Sequence, residues 1–318
     1  MPARTLGGLV LCNAIWAANP VMSKALLTKF SSSQVAWLRY FSATVFFMVL
    51  AFSVRTFRGR GRGRGRGRRG GGGAFFSRPR TPNDLWLALG MGFSAFCFAP
   101  MVGLLGLSRT GAVDNAILIA LEPLVTVGLA AIFLSEVFGG TQRLSLLVSV
   151  AGFSLLSGLA YRPMGSWLST PSIVGNLILV VSLVGEGGYS IFARLLQGRY
   201  ASLPLFGTSL LLGFGVLTLM VIGLDDLPSL GSLEPRDLLV LFWLGPLGST
   251  LTYLYWVVAL EKTDVSSAAL TLFVQPVVGA LLGVTAFGEE LGPSKATGAV
   301  LILLAVGLLT LRQQKVSD

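Results

Sequence analysis

Long apolar runs dominate this sequence, and they restrict its fold more than any other feature does. The runs are roughly twenty residues long, enough for a helix to cross the ~30 Å hydrocarbon core of a bilayer. Inside lipid the backbone must satisfy its own hydrogen bonds, so only helices or a closed barrel can span it. The runs lack the alternation of barrel strands. The chain is therefore predicted to be an all-α membrane protein.

The composition agrees with this fold class and excludes several kinds of site. Charged residues make up 12% of the chain, against about 25% in soluble domains. The chain has no histidine, so a proton-coupled step must use carboxylates. Cys12 and Cys97 lie inside apolar runs, which disfavours a disulfide framework and a metal site. Without a P-loop or a His/Cys/carboxylate cluster, the sequence predicts no enzyme, no catalytic residue, no cofactor and no metal.

Ten membrane spans are predicted, with both termini on the cytoplasmic side of a plasma (inner) membrane. One connection is long: residues 55–82 hold ten arginines and are predicted to form a disordered loop. Cytoplasmic loops carry the excess of Lys and Arg, which places this loop in the cytoplasm. The predicted spans are 6–28, 34–54, 85–107, 112–135, 142–160, 171–194, 203–224, 237–259, 265–287 and 294–312.

The Arg/Gly pattern of residues 55–82 allows two kinds of partner. Arg-Gly repeats bind RNA through its backbone. The ten arginines of this single loop, however, account for the whole net charge of +10. We favour a topology determinant that lies against anionic lipid headgroups, and nucleic acid is disfavoured. A membrane scaffold that acts through this loop and transports nothing is the alternative from another functional class.

An internal repeat at an offset of 153 residues divides the chain into two halves, 1–160 and 161–318. Seven of thirty positions are identical between 107–136 and 260–289, including a threonine near the start, a mid-span proline and a terminal glutamate. The repeat pairs the fourth span with the ninth, so each unit has five helices. An odd number of crossings inverts the second unit, and inverted repeats are typical of secondary transporters.

Three patterns together resemble a known family. They are Trp16-Ala-Ala-Asn19 with a following lysine, Trp37-Leu-Arg-Tyr in the second span, and the duplicated Arg/Lys-Thr…Pro…Glu unit. These resemble the EamA-type branch of the drug/metabolite transporter (DMT) superfamily. The resemblance implies a ten-helix carrier with a central cavity, usually one that exports amino acids or related metabolites. The long Arg/Gly loop departs from the usual pattern of that family.

Glu122 is the first candidate for transport chemistry. It lies ten residues into the fourth predicted span, about 15 Å deep at helical rise. Asn115 at i−7 lies on the same face. Pro123 follows directly and disfavours helical geometry at Glu122. This placement suits a cation ligand or a protonatable group. The alternative is a neutral or paired glutamate that only holds helices together.

Glu186 is the second candidate, halfway along the sixth predicted span. Tyr189 at i+3 lies on the same hydroxyl-rich face, and three flanking glycines allow a close approach by a neighbouring helix or a ligand. The alternative is a small-residue helix contact with an incidental glutamate. Arg39 in the second span is expected to pair with a carboxylate, either of the protein or of a substrate.

Aromatic and amide stripes complete the predicted path. Trp16 and Asn19 share a face of the first span, Tyr253 lies on the eighth span, and Gln275 is the repeat partner of Glu122. Such stripes suit a cavity for a polar organic ligand, although aromatic residues in membrane helices also serve packing. The residues predicted to line the path are Trp16, Asn19, Arg39, Asn115, Glu122, Glu186, Tyr189, Tyr253 and Gln275.

Helix breaks and gates are predicted next to this path. Pro20, Pro123 and Pro276 are the expected breaks. Glu136 and Glu289 end equivalent helices at opposite surfaces. They are expected either to gate the path or to form structural salt bridges.

The sequence thus predicts a secondary transporter that moves small polar metabolites by alternating access. Amino acids or related compounds are the expected substrates, and export is the expected direction. Either a proton gradient or the gradient of the substrate itself is expected to drive transport, with Glu122 or Glu186 recognising an amine or exchanging a proton. An organellar sugar-phosphate or nucleotide-sugar carrier is the alternative transporter. Such a carrier needs several convergent basic groups for phosphate, and Arg39 and Lys24 are the available ones.

Overall fold

The described part of the chain is helical. The computed structural model describes residues 3–60, 75–76, 79–133, 140–196, 199–260, 270–288, 290 and 292–317, and these ranges contain no extended strand. In chain order the helices are α1 (Ala3–Leu26), α2 (Ser32–Arg60), α3 (Pro82–Phe93), α4 (Ala99–Leu107), α5 (Ala112–Leu118), α6 (Glu122–Phe133), α7 (Gly140–Ser157), α8 (Pro171–Leu196), α9 (Ser202–Leu224), α10 (Pro235–Phe242), α11 (Thr252–Leu260), α12 (Val274–Phe287) and α13 (Pro293–Ser317).

Four irregular segments join some of these helices. A π-helical segment, Ser94–Phe98, connects α3 to α4, and a longer one, Trp243–Leu251, connects α10 to α11. Short 3₁₀ segments precede α6 and α12, at Ile119–Leu121 and Leu270–Phe273. Each irregular segment lies inside or next to an apolar run, where wider or tighter turns redirect side chains and free backbone carbonyls.

Seven helical stretches of the described residues are long and apolar enough to cross a bilayer. They are Arg4–Leu26, Ser32–Ser53, Pro82–Leu107, Ala112–Phe133, Pro171–Ala193, Ser202–Leu224 and Pro235–Trp256. Shorter apolar helices cover Arg143–Ser157 and Pro293–Ala305, which overlap two further predicted spans. The remaining predicted span, 265–287, is described from residue 270. An all-helical, multi-pass membrane fold is confirmed, whereas the total of ten crossings stays a prediction.

Both ends of the predicted loop 55–82 lie among the described residues. Residues 55–60 continue α2 as helix, and Phe75 and Phe76 pack against Phe47. Disorder of the loop as a whole stays a prediction. Residues 61–74 and 77–78 lie outside the described residues.

The two predicted halves pack against each other, and the buried core lies at their contact. Helix α1 packs on α11 and α12, α2 on α9 and the second π-helical segment, and α3 on α8 and α9. Helix α7 lies along α13, and α5 along α12. The largest buried cluster therefore draws side chains from both halves, among them Phe47, Phe96, Phe206 and Leu244. A site inside this cluster would be shared by the two halves.

Irregular segments recur at the spacing of the internal repeat. The two π-helical segments end at Phe98 and Leu251, which are 153 positions apart. The two 3₁₀ segments each lead into a helix with proline in its first turn, Pro123 in α6 and Pro276 in α12. Proline is tolerated there because its missing N–H would have no helical acceptor. The recurrence supports a duplication, and the inverted orientation of the two units stays a prediction.

Helices α3 and α9 cross at glycine. An ideal Cβ placed on Gly213 would overlap the carbonyl oxygen of Gly92. We expect Gly213→Ala to lower the thermal unfolding temperature in detergent, because the backbones must separate at a cost of about 1–3 kcal/mol. Gly215→Ala is the matched control on the same helix, where a Cβ meets nothing within 4 Å. Equal effects of the two substitutions would contradict the close crossing.

Candidate functional site

An aromatic cluster lies at the contact between the two halves. The Trp16 ring, from α1, lies 5.3 Å from Tyr253 and 5.4 Å from Trp256, both on α11. Tyr253 also packs against Phe96 of the first π-helical segment at 5.8 Å and against Tyr189 of α8 at 6.0 Å. Phe206 of α9 stacks on Tyr253 at 6.1 Å. Side chains of α1, α8, α9, α11 and the first π-helical segment therefore meet around Tyr253. Trp16, Tyr189 and Tyr253 were predicted together, and the fold does bring them together.

The π-helical segments supply hydrogen-bond acceptors to this cluster. The Trp16 indole N–H donates to the carbonyl oxygen of Gly248 at 2.9 Å. The Tyr40 hydroxyl donates to the carbonyl oxygen of Ala95 at 3.3 Å. Both acceptors belong to π-helical segments, whose wider turns leave carbonyls available to side chains. The polar ends of these rings are therefore oriented by backbone that regular helix would have kept for itself.

The two predicted glutamates share one electrostatic environment. The Tyr253 hydroxyl lies 3.5 Å from Glu186 Oε2, at the outer limit of a hydrogen bond. Glu122 and Glu186 are close enough for their charges to act on one another, and Arg39 acts on Glu186 with the opposite sign. Both glutamates are partly exposed within the bundle. When both carboxyl groups are ionised, their two negative charges exceed the single positive charge of Arg39 beside the aromatic cluster.

Arg39 is held by a hydroxyl and a ring. Its Nε donates to Ser249 Oγ at 3.0 Å, and its guanidinium carbon lies 5.3 Å from the centre of the Tyr40 ring. Ser249 Oγ in turn donates to the carbonyl oxygen of Leu244, so the hydroxyl is itself oriented. Arg39 therefore acts on Glu186 across a distance, and its other guanidinium N–H groups suit a carboxylate of a bound molecule.

Three predicted path residues are buried, and their part in the path stays a prediction. Gln275 Nε2 donates to Asn13 Oδ1 at 2.8 Å, which ties α12 to α1. Asn19 is 6% exposed and packs against Gly248. Asn115 is 8% exposed. In this conformation these amides are buried, whereas Glu122, Glu186, Tyr189 and Tyr253 keep partial exposure.

The predicted breaks and gates have different outcomes. Helix α1 runs through Pro20 from Ala3 to Leu26, so the predicted break at Pro20 is wrong. A single lost hydrogen bond is tolerated because the packed neighbours hold α1 in place. At Pro123 and Pro276 the helix does restart after a 3₁₀ segment. The predicted gates Glu136 and Glu289 lie outside the described residues.

An ion pair with one buried partner, which is not among the predicted site residues, joins the halves. Asp114 on α5 is 2% exposed, and its Oδ1 lies 2.8 Å from Nζ of Lys295 on α13. Asn176 of α8 donates to Asp114 Oδ2 at 3.3 Å and to Ser157 Oγ at 3.1 Å. Asp114 falls inside the predicted span 112–135, so the rule that intramembrane acids are functional candidates could have identified it.

The end of the bundle that holds the α1–α2 loop, here the Lys29 face, carries a second charged tie. Lys29 Nζ lies 2.9 Å from Glu234 and 3.1 Å from Asp237 of the α10 N-terminus. These hydrogen bonds raise the pKa of Lys29 above its ordinary value. Nearby, hydroxyls of Ser31 and Ser33 hold the pKa of Asp225 below its usual range. That stabilisation is present above the unfolded pKa of the carboxyl and is lost as pH falls through the folded pKa.

The opposite end of the bundle, where the Arg/Gly loop leads into α3, is here called the linker face. It carries a third ion pair between the halves. Arg199 lies 2.8 Å from Asp84 Oδ1 at the start of α3, and the Tyr200 hydroxyl donates to Asp84 Oδ2 at 2.8 Å. The backbone N–H of Arg80 donates to the same hydroxyl at 2.7 Å. Ion pairs between the first and second halves therefore lie at both ends of the bundle.

Known proteins resemble this chain over part of their length. An uncharacterized transporter of Archaeoglobus fulgidus is 27% identical over 191 residues, which cover 60% of this chain and 65% of the relative. A probable terminal-alkyne amino-acid exporter of Streptantibioticus cattleyicolor is 25% identical over 206 residues, 62% of this chain and 63% of the relative. This chain thus matches about two thirds of the length of these curated relatives.

A solved crystal structure has the same fold. It superposes with a TM-score of 0.62 over 100% of this chain and 99% of the other, at 18% sequence identity. The model of the EamA-like transporter family matches residues 5–158 and 173–311, which is most of the sequence. The family and the relatives are described as transporters, which confirms the prediction that this is not an enzyme. The chain belongs to the EamA-like transporter family.

Proposed function

We propose that this protein is a secondary transporter that carries amino acids or related small polar metabolites by alternating access. The observation that carries the proposal is that Glu186 lies against Tyr253, within electrostatic reach of Glu122 and Arg39, at an aromatic cluster shared by the two halves. The relative from Streptantibioticus cattleyicolor, named as a probable amino-acid exporter, supports the substrate class.

The charges of the site complement those of an amino acid. Arg39 offers N–H groups to a substrate carboxylate, and Glu186 with Glu122 offers acceptors to a substrate ammonium group. Trp16 and Tyr253 supply ring faces for a cation or an apolar side chain. An uncompensated charge inside a membrane is costly. Either the ammonium group or a proton then neutralises the excess carboxylate, and this is how substrate and proton would compete for one site.

The ties at both ends of the bundle suit a carrier. The contacts Lys29–Asp237 and Lys295–Asp114 join the halves at or near the Lys29 face, and Asp84–Arg199 joins them on the linker face. A carrier opens one end while the other stays closed, which means that these contacts break in turn. Two five-helix units of opposite orientation, residues 1–160 and 161–318, would supply the two equivalent states.

The test is uptake of radiolabelled substrates into proteoliposomes, with and without an imposed pH gradient. The panel contains neutral, acidic, basic and aromatic amino acids, together with a sugar phosphate and a nucleotide sugar. We expect saturable uptake of at least one amino acid and a response to the pH gradient. Uptake restricted to the phosphorylated compounds, or no uptake above protein-free liposomes, would contradict the proposal.

Anionic lipid is the proposed partner of the Arg/Gly loop. Each basic residue near an anionic surface contributes about 1 kcal/mol of attraction. Deleting residues 58–73 is expected to weaken binding of the purified protein to anionic nanodiscs while amino-acid uptake is retained. Loss of uptake with unchanged lipid binding would contradict this role and would favour a direct part of the loop in transport.

A further inference from the structure

The end of the Arg/Gly loop is buried inside the bundle. Phe75 is 6% exposed although it belongs to a connecting segment, and such segments usually lie on the surface. Its ring packs edge-on against Phe47 of α2 at 5.8 Å, and the Phe76 ring does the same at 5.7 Å. Two consecutive aromatic side chains from the loop therefore share one partner on α2.

The buried position of Phe75 depends on a glycine of α9. An ideal Cβ on Gly207 would overlap the carbonyl oxygen of Phe75 and would lie 2.7 Å from the Phe47 ring. Gly207 is five residues past the start of α9 at Ser202, about 8 Å into the bundle at helical rise. The Phe75 backbone thus lies between α2 and α9, below the end of the bundle and not on its surface.

Two aromatic rings, those of Phe47 and Phe206, connect the buried position of Phe75 to the candidate site. Phe47 packs edge-on against Phe206 at 5.5 Å, and Phe206 stacks on Tyr253 with an interplanar angle of 17°. Tyr253 is the residue whose hydroxyl faces Glu186. Between the linker face and Glu186, the order of side chains is therefore Phe75, Phe47, Phe206 and Tyr253.

We propose that Phe75 and Phe76 form a plug that closes the linker-face entrance to the central site. The inference rests on the proposed transport function. A carrier must part this aromatic layer when it opens towards the linker face. Phe75 and Phe76 belong to no helix, so they can leave without moving one. Their departure removes the outermost of the described side chains between the linker face and Phe206, and it leaves the helix crossings of the bundle in place.

Thiol labelling tests the plug without the need for a substrate. The reporter is Tyr253→Cys in a background with Cys12→Ala and Cys97→Ala, labelled in detergent by a membrane-impermeant maleimide. We expect Phe75→Ala/Phe76→Ala to raise the labelling rate about tenfold, which corresponds to a loss of about 1.4 kcal/mol in preference for the closed state. Phe75→Leu/Phe76→Leu keeps apolar bulk and is expected to stay near the wild-type rate.

A glycine pair supplies the matched control. Gly207→Ala is expected to displace the plug and to raise labelling although both phenylalanines are intact. Gly215→Ala on the same helix is expected to leave labelling unchanged. Wild-type labelling in folded Phe75→Ala/Phe76→Ala, or equal labelling in the two glycine variants, would overturn the plug. If labelling rises as expected while no amino acid is transported, the plug stands and the proposed function fails.

Discussion

Glu186→Gln is expected to reduce amino-acid uptake by about 10- to 100-fold, because a hydrogen bond to a charged group contributes about 1.5–3 kcal/mol. Glutamine keeps the size of the side chain and removes the charge that would hold a substrate ammonium group or a proton. Glu122→Gln should have a similar effect, since the two carboxylates act on one another. The measurement is the initial rate of uptake into proteoliposomes at two pH values, with equal amounts of reconstituted protein.

The two glutamate variants also separate binding from proton coupling. If Glu186 holds the substrate and Glu122 the proton, Glu186→Gln raises KM, whereas Glu122→Gln flattens the response to a pH gradient. Glu290→Gln is the matched control, because Glu290 is an exposed glutamate. Rates of the Glu122→Gln/Glu186→Gln double variant that equal the wild-type rates would show that the carboxylates have no part in transport.

Lys295→Met is expected to be the most destabilising of the charge substitutions. Asp114 is 2% exposed, and removing its ammonium partner leaves a buried carboxylate with only hydroxyl and amide neighbours. Breaking a buried pair costs about 3–5 kcal/mol, and the lower end applies because the Lys295 side chain is one-third exposed. The thermal unfolding temperature in detergent measures the loss.

A double-mutant cycle distinguishes an unpaired charge from lost packing. Asp114→Asn removes the buried charge, so Asp114→Asn/Lys295→Met should regain much of the stability lost in Lys295→Met. Thr110 and Asn176 still hydrogen-bond the amide in that variant. Additive losses in the double variant would contradict the account, since they would mean that the two side chains stabilise the bundle independently.

Local spacing was sufficient to single out the two carboxyl groups of the candidate site. Glu122 and Glu186 stand out because an acid inside an apolar run is rare and costly. Trp16, Tyr189 and Tyr253 were predicted from their positions on helix faces, and the fold brings them around one centre. Their mutual distances could not be predicted, because each comes from a different helix and depends on how the two halves pack.

The amide residues show where spacing is ambiguous. A polar stripe on a membrane helix avoids lipid either by facing a cavity or by facing another helix, and periodicity is the same in both cases. Asn19 and Gln275 turn out to face helices. The ties at the two ends were missed for a related reason. Lys29 meets Asp237, and Asp84 meets Arg199, across long stretches of sequence that no local pattern connects.

The most direct test of alternating access is trans-stimulation. Proteoliposomes are preloaded with the unlabelled amino acid that the panel identifies, and the initial uptake of the same labelled amino acid is measured from outside. A carrier whose site faces one side at a time returns faster when loaded, so we expect uptake several-fold above that of empty vesicles. Uptake that is unchanged or reduced by internal substrate, as in a pore open to both sides, would contradict the central claim.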